Sequence, residues 1–248
     1  MEQVKGAVVV VTGGGGGIGA AICRRFAAEG AHVVLTYHSH PEAAQAVLRS
    51  LDGEGHMLAS AAVDDSRTLS ALADAVGERY GTVEVLVNNA GITHPVPHDD
   101  LEALDDTLFD RIFQVNVRGA FAAVHAFRPL LEAGKGGVVV NISSIAGRTG
   151  EGSNVAYCAS KAAMDSLTRS LARALAPGIR VLSVAPGWVM GEYASRMDPA
   201  ILEAQQGRTP LRRLAQPEDV ADAVLAAAMV LRHSTGSVIP VDGGRPLG

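Results

Sequence analysis

Four consecutive valines, Val8–Val11, lead through Thr12 into Gly13-Gly14-Gly15-Gly16-Gly17-Ile18-Gly19, and an amphipathic stretch follows over residues 20–29. The valine run has the β-branched character of a buried strand. Ile22, Phe26 and Ala27 recur at helical spacing. A flexible linker would not be wedged between two such patterns, so the segment reads as strand, glycine turn, helix. Glycines let the backbone approach a pyrophosphate and let the helix pack near the strand, while the amides and dipole of the helix N-terminus attract phosphate charge. The run satisfies two spacings equally, G-x-G-x-x-G at Gly14, Gly16 and Gly19 and G-x-x-x-G-x-G at Gly13, Gly17 and Gly19.

Six further β-rich segments, at 32–36, 56–63, 83–88, 137–143, 180–185 and 237–241, alternate with helical patterns such as Leu69, Leu72, Ala73 and Val76 or Val220, Val224, Leu225 and Ala228. That order implies an α/β doubly wound Rossmann fold, a seven-stranded parallel sheet with helices on both faces. With 248 residues, 48% of them hydrophobic, and no low-complexity linker, one domain is expected over residues 1–248. A net charge of −5 supplies no field for nucleic acid or anionic lipid. No apolar run suits a membrane span, no signal peptide is expected at Met1, and a cytoplasmic location follows as an expectation. Cys23 and Cys158 show no metal-ligand spacing and read as small buried residues; no metal site is expected.

Tyr157 and Lys161 are four residues apart, which stacks a phenol and an ammonium on one helix face. A cation favours the phenolate and would draw the tyrosine pKa from about 10 toward the range useful for moving a proton on a carbonyl oxygen. Ser144 stands thirteen residues upstream. In a doubly wound sheet the ligand crevice lies at the carboxyl ends of the strands. Residues 88–91 end the fourth strand, Ser143-Ser144 the fifth and Pro186-Gly187 the sixth.

Taken together, Thr12 to Gly19, Asn88-Asn89-Ala90-Gly91, Asn116, Ser144, the Tyr157/Lys161 dyad and Pro186-Gly187 resemble the short-chain dehydrogenase/reductase family over essentially the whole chain. Residues 217–220 and 241–244 look like the branch containing 3-oxoacyl-carrier-protein reductases. The resemblance selects the second glycine spacing. It implies hydride transfer between NADP(H) or NAD(H) and a carbonyl or secondary alcohol, with Ser144 holding the oxygen, Tyr157 protonating it, Lys161 also binding the nicotinamide ribose, and Asn116 supporting a proton-relaying water. Ser143 is left as strand-end structure. The implied cofactor contacts are Gly13, Gly15, Gly16, Gly17, Ile18, Gly19, Tyr37, His38, Ser39, Ala62, Val63, Asn89, Ala90, Gly91, Tyr157, Lys161, Pro186, Gly187 and Val189.

Several positions depart from the family's common pattern. Ala62-Val63 stands where many relatives have Asp-Val, so only backbone groups are expected to meet the adenine; Gly191 and Leu182 replace a frequent threonine and asparagine. The second strand runs into Tyr37-His38-Ser39-His40 with no acid before Glu42, and nothing there repels a 2′-phosphate. NADP(H) is favoured on that ground, although Gly16 replaces the arginine of many NADP-binding relatives. Substrate contacts are expected from His94, Pro95, Arg148, Glu151, Asn154, Trp188 and residues 191–207. Two alternatives are a 3-oxoacyl-carrier-protein reductase, with Arg111, Arg118 and Arg128 as a basic patch for the carrier, and a non-catalytic nucleotide sensor. Helices 107–131 and 155–175, apolar on more than one side, together with the resemblance, predict a homotetramer.

Overall fold

The computed structural model describes residues 4–191, 194 and 197–245. Seven strands, β1 (Val8–Val11), β2 (His32–Tyr37), β3 (Met57–Ser60), β4 (Val85–Asn88), β5 (Gly137–Ile142), β6 (Ile179–Pro186) and β7 (Val238–Val241), form one sheet in the order β3-β2-β1-β4-β5-β6-β7. Every pairing is parallel. The doubly wound fold expected from the sequence is therefore present.

The valine run shows why both faces are covered. Successive strand side chains point to opposite faces, so Val9 and Val11 join one apolar cluster with Ile22, Phe26, Val220 and Val224, while Val8 and Val10 join the other with Leu69, Val76, Phe127 and Leu131. Helices α1 (Gly17–Ala28) and α9 (Pro217–Leu225) cover the first face; α3 (Ser66–Tyr80) and α5 (Gly119–Ala133) cover the second. Full burial of a side chain such as Phe26 contributes about 1.5–3 kcal/mol. The remaining helices are α2 (Pro41–Arg49), α4 (Asp106–Phe113), α6 (Ala146–Thr149), α7 (Val155–Leu175) and α8 (Pro199–Gly207). The helix expected over 107–131 is α4 and α5 joined by a π-helical turn, Gln114–Arg118. The strand expected over 56–63 is shorter, because beyond Ser60 the Thr68 hydroxyl takes over the backbone groups of Ala62.

A polar ladder runs through this apolar interior. Asn88 Nδ2 donates to Asn141 Oδ1 at 2.9 Å, Asn141 Nδ2 donates to Thr168 Oγ1 at 2.8 Å, and the Thr168 and Ser183 hydroxyls meet at 2.8 Å. It ties β4, β5, β6 and α7 together directly beneath the carboxyl ends of the strands, where an apolar core alone would fix side-chain positions less specifically.

Candidate active site

The order of strands reverses between β1 and β4, and a crevice opens there. Thr12 and Asn89 fasten its two lips. Thr12 Oγ1 accepts from the Asn89 and Ala90 amides at 3.0 and 3.1 Å, and Asn89 Nδ2 donates to the Thr12 and Gly13 carbonyls at 3.0 and 2.9 Å. The glycine turn is thus held by side-chain hydrogen bonds to backbone. Gly13 and Gly17 have φ of +66° and +50°, and a Cβ on Gly19 would stand 2.2 Å from the Gly13 carbonyl oxygen. These are the three positions of the G-x-x-x-G-x-G reading. Gly14 is also crowded, since a Cβ there would stand 2.7 Å from Leu35 Cβ, but Gly16 is extended at φ −172° with open space around it, so the alternative spacing lacks a steric reason at its middle position.

Gly16 caps α1 without any side-chain hydrogen bond, which leaves the first amides of the helix for a ligand. Open space at Gly16 and Gly17 above those amides makes a cradle that fits a pyrophosphate.

Tyr157 and Lys161 lie on α7, whose N-cap is Asn154. Asn154 Oδ1 accepts from the Tyr157 amide at 2.6 Å, and Asn154 Nδ2 donates to the His94 carbonyl at 2.7 Å. Asn154 was expected in the substrate pocket; it is instead a fully buried cap that sets the start of the helix carrying the phenol. Ser144 Oγ accepts from the Ala146 amide at 3.2 Å and opposes, by hydrogen bonding, the burial that pushes the Tyr157 phenol above its ordinary pKa. The depression expected from Lys161 is not found: burial raises the phenol, and the opposing effect comes from Ser144. Lys161 is itself buried. Its Nζ donates to the Ile142 carbonyl at the end of β5 at 2.8 Å, lies 5.6 Å from the centre of the Tyr157 ring, and is lowered by burial to about 8, against an opposing effect of Asp165. Ser143 Oγ donates to the Lys161 carbonyl at 3.3 Å, consistent with a structural place at the strand end.

Asn116 occupies the π-helical turn. Its Oδ1 accepts from the Ile92 amide at 2.8 Å, and its Nδ2 donates to the Ile92 carbonyl and to Ser160 Oγ at 3.0 and 3.1 Å. Both amide hydrogens of this buried side chain are consumed in locking residue 92 and α7 together. Gly91 passes so close that a Cβ there would stand 3.2 Å from Asn116 Oδ1.

A cavity of about 690 Å³ opens beside Ser144 and Tyr157. Of the residues expected around it, Pro95, Glu151 and Trp188 line it. His94, Arg148 and Asn154 do not. From residues 191–207, Gln205 reaches the wall; 192, 193, 195 and 196 lie outside the described residues. Reading the sequence missed His98, Arg208 and Arg245, whose role depends on chain segments brought together only in three dimensions. The wall is completed by Gly187, whose amide donates to the Val241 carbonyl at 3.0 Å, and by Val189, which pairs with Ala215. Pro186, the last residue of β6, accepts from the Ile145 amide at 3.0 Å.

At the far end of the crevice, His38 and Ser39 are exposed beyond β2, while Tyr37 ends the strand. The backbone groups of Ala62, expected to meet the adenine, already have partners: its amide donates to Thr68 Oγ1 at 3.1 Å and its carbonyl accepts from that hydroxyl at 2.8 Å. Asp64, which the sequence reading passed over, stands near His38. Burial raises its pKa, but the Arg111 ion pair and hydrogen bonding outweigh this and leave the carboxyl below the usual range. Arg118 donates to the Asp64 carbonyl and to Ser66 Oγ, and Arg128 pairs with Glu132 at 2.8 Å. The three arginines expected as a carrier-docking patch are therefore engaged within the chain.

The sheet order and the crevice define a doubly wound nucleotide-binding protein. The family model described as enoyl-(acyl carrier protein) reductase matches residues 13–245. The chain is 37% identical to the cis-4-hydroxycyclohexanecarboxylate dehydrogenase of Sinomonas cyclohexanicum, covering 96% of this chain and 95% of that protein, and 32% identical to the 3-oxoacyl-(acyl-carrier-protein) reductase FabG of Staphylococcus aureus, covering 98% and 99%. A solved short-chain dehydrogenase/reductase from Brucella melitensis, titled a glucose/ribitol dehydrogenase, superposes with a TM-score of 0.89 at 30% identity and 97% coverage of each chain. The chain belongs to the short-chain dehydrogenase/reductase family, whose ketoacyl-reductase-like branch it resembles, and is an oxidoreductase acting on CH–OH or carbonyl groups with a nicotinamide cofactor.

Proposed function

We propose that the protein interconverts a ketone and a secondary alcohol with NADP(H), through Ser144, Tyr157 and Lys161. The observation that carries this reading is that all three side chains meet at the carboxyl ends of β5 and the start of α7, with Ser144 and Tyr157 in the wall of the cavity. When bound, the cofactor supplies or accepts the hydride. Glycines 13, 15, 16, 17 and 19 with Ile18 would hold its pyrophosphate, residues 89–91, Pro186, Gly187 and Val189 its nicotinamide half, and Tyr37, His38, Ser39 and Val63 its adenosine.

In the reducing direction the substrate oxygen gains negative charge, so a hydrogen-bond donor must hold it and an acid must protonate it. Ser144 holds it, and the half-buried phenol of Tyr157, with its pKa pushed upward, keeps its proton at neutral pH until that charge develops. Lys161 places an ammonium behind the phenol and stabilises the tyrosinate left after transfer. Asn116 acts as a positioning residue, since its side chain is spent on Ile92 and Ser160. NADP(H) over NAD(H) is supported by exposed His38 and Ser39 and by Asp64, whose charge is taken up by Arg111. A homotetramer is supported by the exposed Phe109, Phe121 and Val155 on α4, α5 and α7.

The test is a panel of ketones and secondary alcohols followed by the absorbance of the reduced nicotinamide, with both cofactors. Turnover that prefers NADP(H) is expected. A consistent preference for NAD(H) would overturn the cofactor assignment, and no turnover across the panel would overturn the reaction.

A further inference from the structure

Resting on the reading of this cavity as the substrate site, we propose that it selects substrates bearing a carboxylate, which Arg245 binds. Besides Tyr157, the ionisable side chains in the wall are His98, Glu151, Arg208 and Arg245. Two guanidinium groups face one carboxylate, and Glu151 pairs with Arg208 at 3.1 Å. Among the described residues Arg245 then has no acidic partner within ion-pair distance. Its charge surplus is local, for the chain as a whole carries −5.

Arg245 is also oriented. Nη1 donates to the Gln205 carbonyl at 3.3 Å, Nη2 donates to Gln205 Oε1, and the guanidinium lies over Trp188 at 6.0 Å from the ring centre. Gln205 and Trp188 are neutral, so they fix the plane of the group without neutralising it. A partly buried guanidinium without a counter-ion is unfavourable, and burial lowers its pKa accordingly. An anion bonded through the remaining N–H groups relieves that cost. A surplus of one charge matches a monoanionic carboxylate, whose planar pair of oxygens suits the guanidinium fork, rather than a dianionic phosphate. Ser144 and Tyr157 line the same cavity, so one small molecule can present its carbonyl there while its carboxylate meets Arg245.

The experiment compares 4-oxopentanoate with its uncharged isostere 4-oxopentanamide on the wild type, Arg245→Met and Glu151→Gln, with each nicotinamide cofactor supplied. Trp188, the only tryptophan, reports binding by fluorescence independently of turnover. Wild type is expected to favour the acid. Arg245→Met should lower the acid-to-amide ratio of kcat/KM by about 10- to 100-fold, mainly through KM, as loss of charge-assisted hydrogen bonds implies. Glu151→Gln, which frees a second guanidinium, should raise the ratio, a gain that misfolding cannot produce. Equal use of acid and amide by the wild type, or a ratio that Arg245→Met leaves unchanged, would overturn the proposal. If neither compound is turned over, quenching of Trp188 by the acid alone still supports the anion site, and no quenching by the acid refutes it, separately from the reaction.

Discussion

The two sides of the crevice are built differently. On the nucleotide side, side chains hold backbone: Thr12 and Asn89 clamp the glycine turn, Asn116 clamps residue 92, and Asn154 caps α7. These are buried or half-buried bonds between groups close to strand ends, and each leaves backbone amides or a reactive side chain aimed at one place. On the substrate side, side chains hold one another across long sequence distances, as in Glu151 with Arg208, an exposed pair, and Arg245 with Gln205, a half-buried one. A buried clamp costs the desolvation of its partner when broken, whereas an exposed pair is screened by water. The proposed chemistry therefore falls on the rigid side and the proposed specificity on the adjustable side.

Tyr157→Phe gives the largest expected effect on the rigid side. It removes the acid while leaving the ring, and turnover should fall by about 10²–10⁴-fold with cofactor binding near wild type. Steady-state kinetics beside a cofactor titration checks it, and retention of most activity would move the acid elsewhere.

Lys161→Met probes the same side through stability. Burial lowers Lys161 to about 8 from an ordinary 10.5. A lysine whose pKa falls on folding destabilises the fold in full below pH 8, where both states are charged. The penalty is relieved as pH rises from 8 to 10.5, where the unfolded chain alone stays protonated. The penalty corresponds to about 3 kcal/mol. Denaturant unfolding of wild type and Lys161→Met should show wild type gaining on the variant across that window. A stability gap that does not change with pH would contradict it.

Gly19→Ala should rank third. Its Cβ would collide with the Gly13 carbonyl and Asn89 Nδ2, costing about 1–3 kcal/mol and loosening the cradle. Gly16→Ala meets open space and should cost less than about 1 kcal/mol. Melting curves of the pair discriminate a steric requirement from mere glycine richness. The smallest effect belongs to the adjustable side: Arg208→Gln breaks a pair exposed on both partners and should change stability by less than about 1 kcal/mol. A larger loss would mean that this wall is as rigid as the other.

The seven strands, the glycine turn and the four-residue interval of Tyr157 and Lys161 were readable because each is local, whereas the order of the strands in the sheet appears only in the fold. A buried parallel strand needs a β-branched run, a sharp approach of helix to strand needs glycine, and a shared helix face needs a fixed spacing. Residues 13–19 and α7 accordingly lie where the sequence alone puts them, within a residue or two at the ends. Other features had no local signal. Asn154 looked like a pocket residue because a cap and a pocket wall use the same polar side chain. Ala62 looked free because its partner Thr68 bonds it only after the chain turns into α3. The direction of the Tyr157 pKa also escaped the sequence. Spacing shows that a cation is near, but only the packed structure decides whether burial or charge prevails. The sequence by itself determined the strands of the sheet and the glycine turn, since these follow from steric and periodic rules acting over a few residues. The tertiary structure alone decided which charges face the cavity, because Glu151, Arg208 and Arg245 acquire partners, or go without, only through contacts between distant segments.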